Sequence, residues 1–310
     1  MFAVLPIISP IFLVIGIGFF AVKTELLPKN AVPGMGRFVL YFCLPALIFS
    51  TLAHTPIRQV IEPLYLLAYG GGSLLAFVLV FGLSRLFGSQ TSAATLNALG
   101  SAICNSAFIG YPVLLQVFGT LPAAAFTMTL LVENLLIMPL TLMILELNRA
   151  LAEGGSTRQV LINFVRRLFT QPILLGILAG LLFSLTGWTL PGVIDRSLEF
   201  LAEAAAGVAL FVIGGSLVGT QIKGDRRAIA VITLAKLVLH PALVALMVWW
   251  LPPFDAQLQT IAILAAAMPM LSIYPVLAGH YLDGSRYAAT LVVATLSSFL
   301  SLTVVLWLLF

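Results

Sequence analysis

Long apolar stretches separated by short polar clusters recur along the whole chain. In windows of about 19 residues they lie near 3–21, 32–53, 62–84, 92–118, 121–146, 168–187, 197–219, 228–251, 257–281 and 287–309. This pattern predicts ten membrane-crossing helices, called segments one to ten below. The first stretch has no basic leader and no small-residue cleavage site. It is long enough to cross the roughly 30 Å hydrocarbon core, so it reads as a retained span. Connections are short except 147–167, which carries Gly154-Gly155-Ser156 and Arg166-Arg167. That stretch is the expected cytoplasmic linker between two halves, 1–146 and 168–310.

Composition agrees with a polytopic membrane protein. Hydrophobic residues make up 61% of the 310 positions and charged residues 8%, and the mean hydropathy is +1.13, values that no water-soluble globule of this length sustains. The net charge of +4 reads as loop bias rather than as a nucleic-acid surface. Assigning Lys and Arg to alternating loops puts twelve on one side (Lys23, Lys29, Arg37, Arg85, Arg149, Arg158, Arg166, Arg167, Lys223, Arg226, Arg227, Arg286) and only Arg58 and Arg196 on the other. Positive loops stay in the cytoplasm, so both termini are expected outside. Trp188, Trp249, Trp250 and Trp307 then fall at outer segment ends, where an interfacial aromatic belt belongs. Cys43 and Cys104 both sit in apolar stretches and support neither a disulfide framework nor a zinc site.

The tetrapeptide YPVL occurs twice, at Tyr111–Leu114 and Tyr274–Leu277, an offset of 163 residues. The same offset lays Ala46-Leu47 on Ala209-Leu210, and an offset of 162 lays Pro10-Ile11, Leu13, Ile15 and Gly18 on Pro172-Ile173, Leu175, Ile177 and Gly180. An odd number of segments per half forces the second half to enter the bilayer upside down. The expected fold is thus all-α, with ten transmembrane helices as an inverted five-plus-five repeat. Segments four and nine carry helix breakers at mid-depth, Gly110 and Pro112 in one, Pro269 and Pro275 in the other. Both helices are expected to break there. Freed backbone groups are tolerated at that depth only when buried in protein or lining a cavity. Two half-helix N-termini would then face a common point and favour an anion.

The stretches FVLYFCLPALIFSTLA, NSAFIGYPVLLQVFG and LAAAMPMLSIYPVLAGHY resemble the auxin efflux carrier family, with its plant exporters and its bacterial permeases described as malate or malonate carriers. Asn105, Phe108, Gly110 and Pro112 are similar to the family's Asn-x-x-Phe-x-Gly-x-Pro pattern. The resemblance spans essentially the whole chain. It implies a scaffold of segments one, two, six and seven, a transport unit of segments three to five and eight to ten, elevator-type alternating access, and a homodimer built through the scaffold. The absence of a long central loop resembles the short bacterial branch, which implies the bacterial inner membrane. The fold also resembles that of bile acid:sodium symporters. Their sodium-binding acidic residue has no counterpart here, because no Asp or Glu lies between Leu258 and Tyr281.

Ionisable side chains inside a bilayer cost about 2.5–3.5 kcal/mol on insertion scales and call for a partner or a role. Lys236 lies nine residues past Arg227, about 13 Å into segment eight. It can face a carboxylate substrate or pair with Glu133 of segment five. Glu133, with Asn134, can couple protons through a desolvated carboxylate or simply neutralise Lys236. Asn105 and Ser106 precede the expected break and offer hydrogen bonds to an anion; Tyr111 and Tyr274 flank the two breaks. His240, before Pro241, reads as a polar residue at a kink. Ser-His-Asp sets, paired catalytic carboxylates and phosphate-cradling glycine loops do not occur at usable spacing, so neither an enzyme, a nucleotide-driven pump nor a cofactor is expected. The reading is a secondary transporter of a small organic anion. Alternatives are a non-transporting membrane sensor or partner subunit, a sodium-coupled symporter of the bile acid type, and, more weakly, a channel.

Overall fold

The computed structural model describes residues 5–55, 61–153, 170–220 and 225–310, and the regular elements among them are helical. Eight helical stretches are apolar and long enough to cross a membrane: Pro6–Lys23, Lys29–Ala53, Pro63–Leu86, Thr91–Phe118, Ala123–Ala152, Gly192–Leu217, Arg226–Trp250 and Ser285–Leu309. Segments six and nine contribute shorter apolar helices, Pro172–Thr186 and Ala256–Ala266. Most of the expected linker, from residue 154 onward, lies outside the described residues.

Local chemistry sets several helix ends. Asp225 and Asp255 act as N-caps, accepting the amides of Arg227 and Leu258 at 2.9 Å each, which satisfies donors that the first turn leaves open. Gly187 closes Pro172–Thr186 in the left-handed region at φ 64°, a conformation glycine adopts without steric cost.

Prolines inside the long helices are handled in one recurring way. Four π turns occur among the described residues, at Val39–Cys43, Ser106–Gly110, Glu133–Ile137 and Ala235–Leu239. Each leads into a helix whose second residue is a proline: Pro45, Pro112, Pro139 and Pro241. A proline ring collides with the carbonyl four residues back and offers no amide. A widened turn with five-residue spacing moves that carbonyl aside, so the helix continues past the proline.

The chain divides into two compact units. One comprises the described residues of 1–62, 106–128 and 170–219; the other those of 63–105, 129–169 and 220–310. In the first, Leu5–Lys23 runs along Gly192–Leu217, and Pro172–Thr186 runs along Leu44–Ala53. Glycines permit both approaches. A β-carbon at Gly18 would collide with the Phe211 carbonyl, and one at Gly180 would lie 2.8 Å from Leu52 Cβ. Close backbone approach through small residues is how helices associate where lipid removes the hydrophobic drive. In the second unit, Pro63–Leu86 packs on Thr91–Ala102 and on His240–Trp250. Gly72 admits the latter, since a β-carbon there would sit 2.7 Å from Val244 Cα.

Candidate functional site

Segments four and nine are both interrupted. In segment four the helix Thr91–Ala102 ends, residues 103–105 are non-helical, and the chain turns helical again at Ser106. In segment nine Ala256–Ala266 ends, residues 267–273 are non-helical, and a short helix Tyr274–Gly279 follows. The interruptions touch one another: the Asn105 amide donates to the Pro269 carbonyl at 2.8 Å, and Asn105 Nδ2 donates to Ser272 Oγ at 2.6 Å.

Two expectations about these breaks need correction. The first concerns position. Pro112 does not start the second half of segment four, because the π turn Ser106–Gly110 absorbs its clash and carries the helix back to Ser106. The break therefore falls at residues 103–105. The second concerns the paired N-terminal fields. Tyr274–Gly279 is six residues long, fewer than two turns, and aligns too few peptide dipoles to project much charge.

The two YPVL tyrosines serve different neighbours. Tyr274 is fully buried, donates to the Leu96 carbonyl at 3.0 Å and rests on Gly100, where a β-carbon would meet its hydroxyl at 2.6 Å. Tyr111 lies in the other unit with its ring 6.0 Å from that of Phe126. Ser106, Gly110 and Pro112 belong to that unit too and are buried there. Asn105, Glu133, Lys236, Pro269, Tyr274 and Pro275 belong to the second unit. Asn134 is turned back on its own helix, donating to the Leu130 carbonyl at 2.8 Å.

Lys236 is completely buried, and its surroundings settle what its ammonium faces. Nζ donates to His240 Nδ1 at 2.7 Å, to Cys104 Sγ at 2.9 Å and to the Ala266 carbonyl at 3.0 Å. An ammonium has three hydrogens, so none remains to grip a substrate carboxylate directly. Because His240 Nδ1 accepts, its other nitrogen carries the ring proton and donates to Ser73 Oγ at 2.8 Å. Glu133 joins the same cluster through Tyr69, whose hydroxyl donates to Glu133 Oε1 at 2.9 Å and lies 3.3 Å from Cys104 Sγ. Tyr65 extends it to Thr129 at 2.6 Å. A buried ammonium and a buried carboxylate thus sit in one hydrogen-bonded network of otherwise neutral groups, the condition under which buried charge is tolerated.

The sequence reading missed most of this network. Tyr65, Tyr69 and Ser73 recur every four residues and share one face of segment three, a spacing that was visible. Lys236 and His240 show the same four-residue spacing. Cys104 gave no signal, since its place beside Lys236 depends on how segments four and eight pack.

Comparison with known proteins fits this architecture. A family described as "Membrane transport protein" matches residues 3–308. The chain belongs to that family. Among curated relatives, a "Putative malonate transporter" of Rhizobium meliloti is 27% identical, the match covering 97% of this chain and 94% of the relative. "Auxin efflux carrier component 8" of Arabidopsis thaliana is 24% identical over 88% of each. The "Lysosomal cholesterol signaling protein" of mouse is 25% identical over 87% of this chain and 32% of its own length. The auxin efflux carrier resemblance of the motifs is therefore a family relationship, and the protein is a multi-pass integral membrane protein of a transporter family rather than an enzyme.

Proposed function

We propose that the protein is a secondary transporter for a small carboxylate, held where the interruptions of segments four and nine meet. One observation carries this reading. Asn105 is 1% exposed, and its Oδ1 has no hydrogen-bond partner among the described residues. A buried amide with one unmatched polar atom calls for an explanation, and a ligand supplies one. The Ser272 hydroxyl both donates and accepts, so the amide can turn either group toward Ser272 and present the other to a ligand. Presenting the amino group suits a carboxylate oxygen. Pro269 and Ser272 frame the position, and Lys236 contributes its field from behind Cys104 rather than a direct bond.

The name of the Rhizobium relative supports a dicarboxylate such as malonate. The matched helix pairs of the first unit, one on seven and six on two, with Gly18 and Gly180 at the close approaches, support the inverted repeat. In the elevator reading, segments three to five and eight to ten carry substrate while the others form the scaffold of a homodimer. Both termini face outward, in a bacterial inner membrane, as the loop charges favour.

The test measures the thermal unfolding midpoint of detergent-purified protein against malonate, malate, indole acetate and neutral sugars, together with uptake into proteoliposomes. A carboxylate that binds only the folded state raises the midpoint by mass action. Asn105→Ala is expected to abolish that rise and to lower uptake at least about tenfold, a loss of about 1.4 kcal/mol. A full response in Asn105→Ala overturns the site. The signalling name of the mouse relative favours a second reading, in which ligand raises the midpoint without any uptake.

A further inference from the structure

We infer that Lys236 is a resident cation, tethered where a broken transport helix ordinarily offers a place for a coupling ion, and that the protein for this reason works without sodium. For its uptake arm this rests on the transport reading above; its binding arm does not.

The helix Ala256–Ala266 stops in the middle of segment nine; the amides of Ala267 and Met268 take the carbonyls of Ile263, Leu264 and Ala265, and among its final carbonyls that of Ala266 is left without a backbone donor. They form the negative end of the helix dipole. In transporters with interrupted helices, such half-helix C-termini and unwound carbonyls coordinate the coupling cation. Here the carbonyl of the last helical residue, Ala266, accepts from Lys236 Nζ. A covalently attached positive charge already sits at that end.

The rest of the cradle is made for an N–H donor and not for an alkali metal. Besides one carbonyl oxygen it consists of a thiol sulfur and an imidazole nitrogen, at 2.9 and 2.7 Å. Hard cations seek several oxygen ligands, and sulfur and imidazole are poor substitutes. An ammonium, by contrast, has one hydrogen for each of the three acceptors. Ser73 holds the His240 ring with its Nδ1 lone pair toward Lys236, as an outer hydrogen bond holds a metal-ligating histidine. Lys236 and His240 are four residues apart and straddle the end of the π turn Ala235–Leu239, and Cys104, His240 and Lys236 are all inaccessible to solvent. The charge is balanced inside the same unit by Glu133, reached through Tyr69.

The experiment compares wild type, Lys236→Ala and Lys236→Met in sodium chloride and in N-methylglucamine chloride of equal ionic strength. Wild type is expected to show the same unfolding midpoint and the same malonate uptake in both salts. Lys236→Ala vacates the ammonium position, and it is expected to unfold at a lower temperature and to lose uptake by about tenfold or more. Methylammonium, but not sodium, is expected to raise the Lys236→Ala midpoint toward that of wild type. Lys236→Met fills the same space with an uncharged chain and is expected to ignore methylammonium. Stabilisation of wild type by sodium, an equal response of Lys236→Ala to sodium and methylammonium, or no response to either overturns the inference. So does a methylammonium response in Lys236→Met. If neither variant folds, the wild-type comparison between the two salts still decides. If malonate is not the substrate, wild-type uptake fails while the cation responses of the midpoints persist, so the two readings fail separately.

Discussion

Segments four and nine contain the same four residues, Tyr-Pro-Val-Leu, and fold them differently. Around Pro112 the helix runs unbroken from Ser106 to Phe118, by way of a π turn. Before Pro275 seven residues leave the helix, and the helix that follows is six residues long. The difference lies upstream of the repeated motif. Segment four approaches it through Asn105-Ser106-Ala107-Phe108-Ile109-Gly110, which contains no second proline. Segment nine approaches through Met268-Pro269-Met270-Leu271-Ser272-Ile273, where Pro269 removes an amide and drives the residue before it out of the helical region. Segment four opens only at residues 103–105 and is helical again five residues before its tetrapeptide, whereas Pro269 keeps segment nine open up to the tetrapeptide itself.

That contrast can be broken at Pro269. Pro269→Ala is expected to let Ala256–Ala266 lengthen, to draw the carbonyl at 269 away from the Asn105 amide, and to reduce uptake by about tenfold or more. Pro112→Ala only relaxes a turn that is already helical and is expected to stay within about threefold of wild type. Equal losses in the two variants would show that the motif matters and its approach does not.

A smaller effect separates the tyrosines. Tyr274→Phe deletes the buried hydroxyl that donates to the Leu96 carbonyl and is expected to cost about 1 kcal/mol in thermal unfolding. Tyr111→Phe keeps the ring contact with Phe126 and is expected to change stability by less than about 0.5 kcal/mol. The reverse order would assign the structural anchor to the wrong repeat.

The smallest effect lies where each segment exits. Segment four leaves through Gly119-Thr120-Leu121-Pro122, which has nothing to titrate. Segment nine leaves through Asp283, whose carboxylate accepts the Ser285 amide at 3.0 Å and the Ser285 hydroxyl at 2.7 Å. The amide first and the hydroxyl second hold its carboxyl below the ordinary range. A carboxyl depressed in the folded state contributes stability above its unfolded pKa and loses it as pH falls through the folded value. Asp283→Asn is expected to flatten a slight acid-side decline in the unfolding midpoint. An unchanged decline would place its origin elsewhere.

Much of the helical layout was legible because a bilayer leaves so few options: long apolar runs must be helices, and prolines at mid-depth must disturb them. The contact between the interruptions was also approachable from sequence, since Asn105 stands beside one and Pro269 within the other. What escaped was chemistry that depends on neighbours. Lys236 read as a substrate ligand or as a partner of Glu133 because a buried charge is conspicuous, and its hydrogens turn out to be engaged by Cys104, His240 and Ala266. No one-dimensional pattern shows that a thiol from segment four and a carbonyl from segment nine converge on it. Asn134 stands beside Glu133 in the chain, but a one-residue step turns a helical side chain to another face, and its Nδ2 donates to the Leu130 carbonyl.

The π turns also bear on how such a chain tolerates insertions and deletions. A widened turn holds one residue more than an α-helix would place there, so side chains beyond it are out of phase with those before it by about 100°, the angular step of a single helical residue. Glu133 opens one such turn and Lys236 lies in another. Removing a single codon from either stretch would return the helix to uniform winding and rotate everything downstream, while leaving composition and hydropathy almost untouched. The polar network of segments three, four, five and eight is therefore keyed to the reading phase of these helices as much as to the identity of its residues.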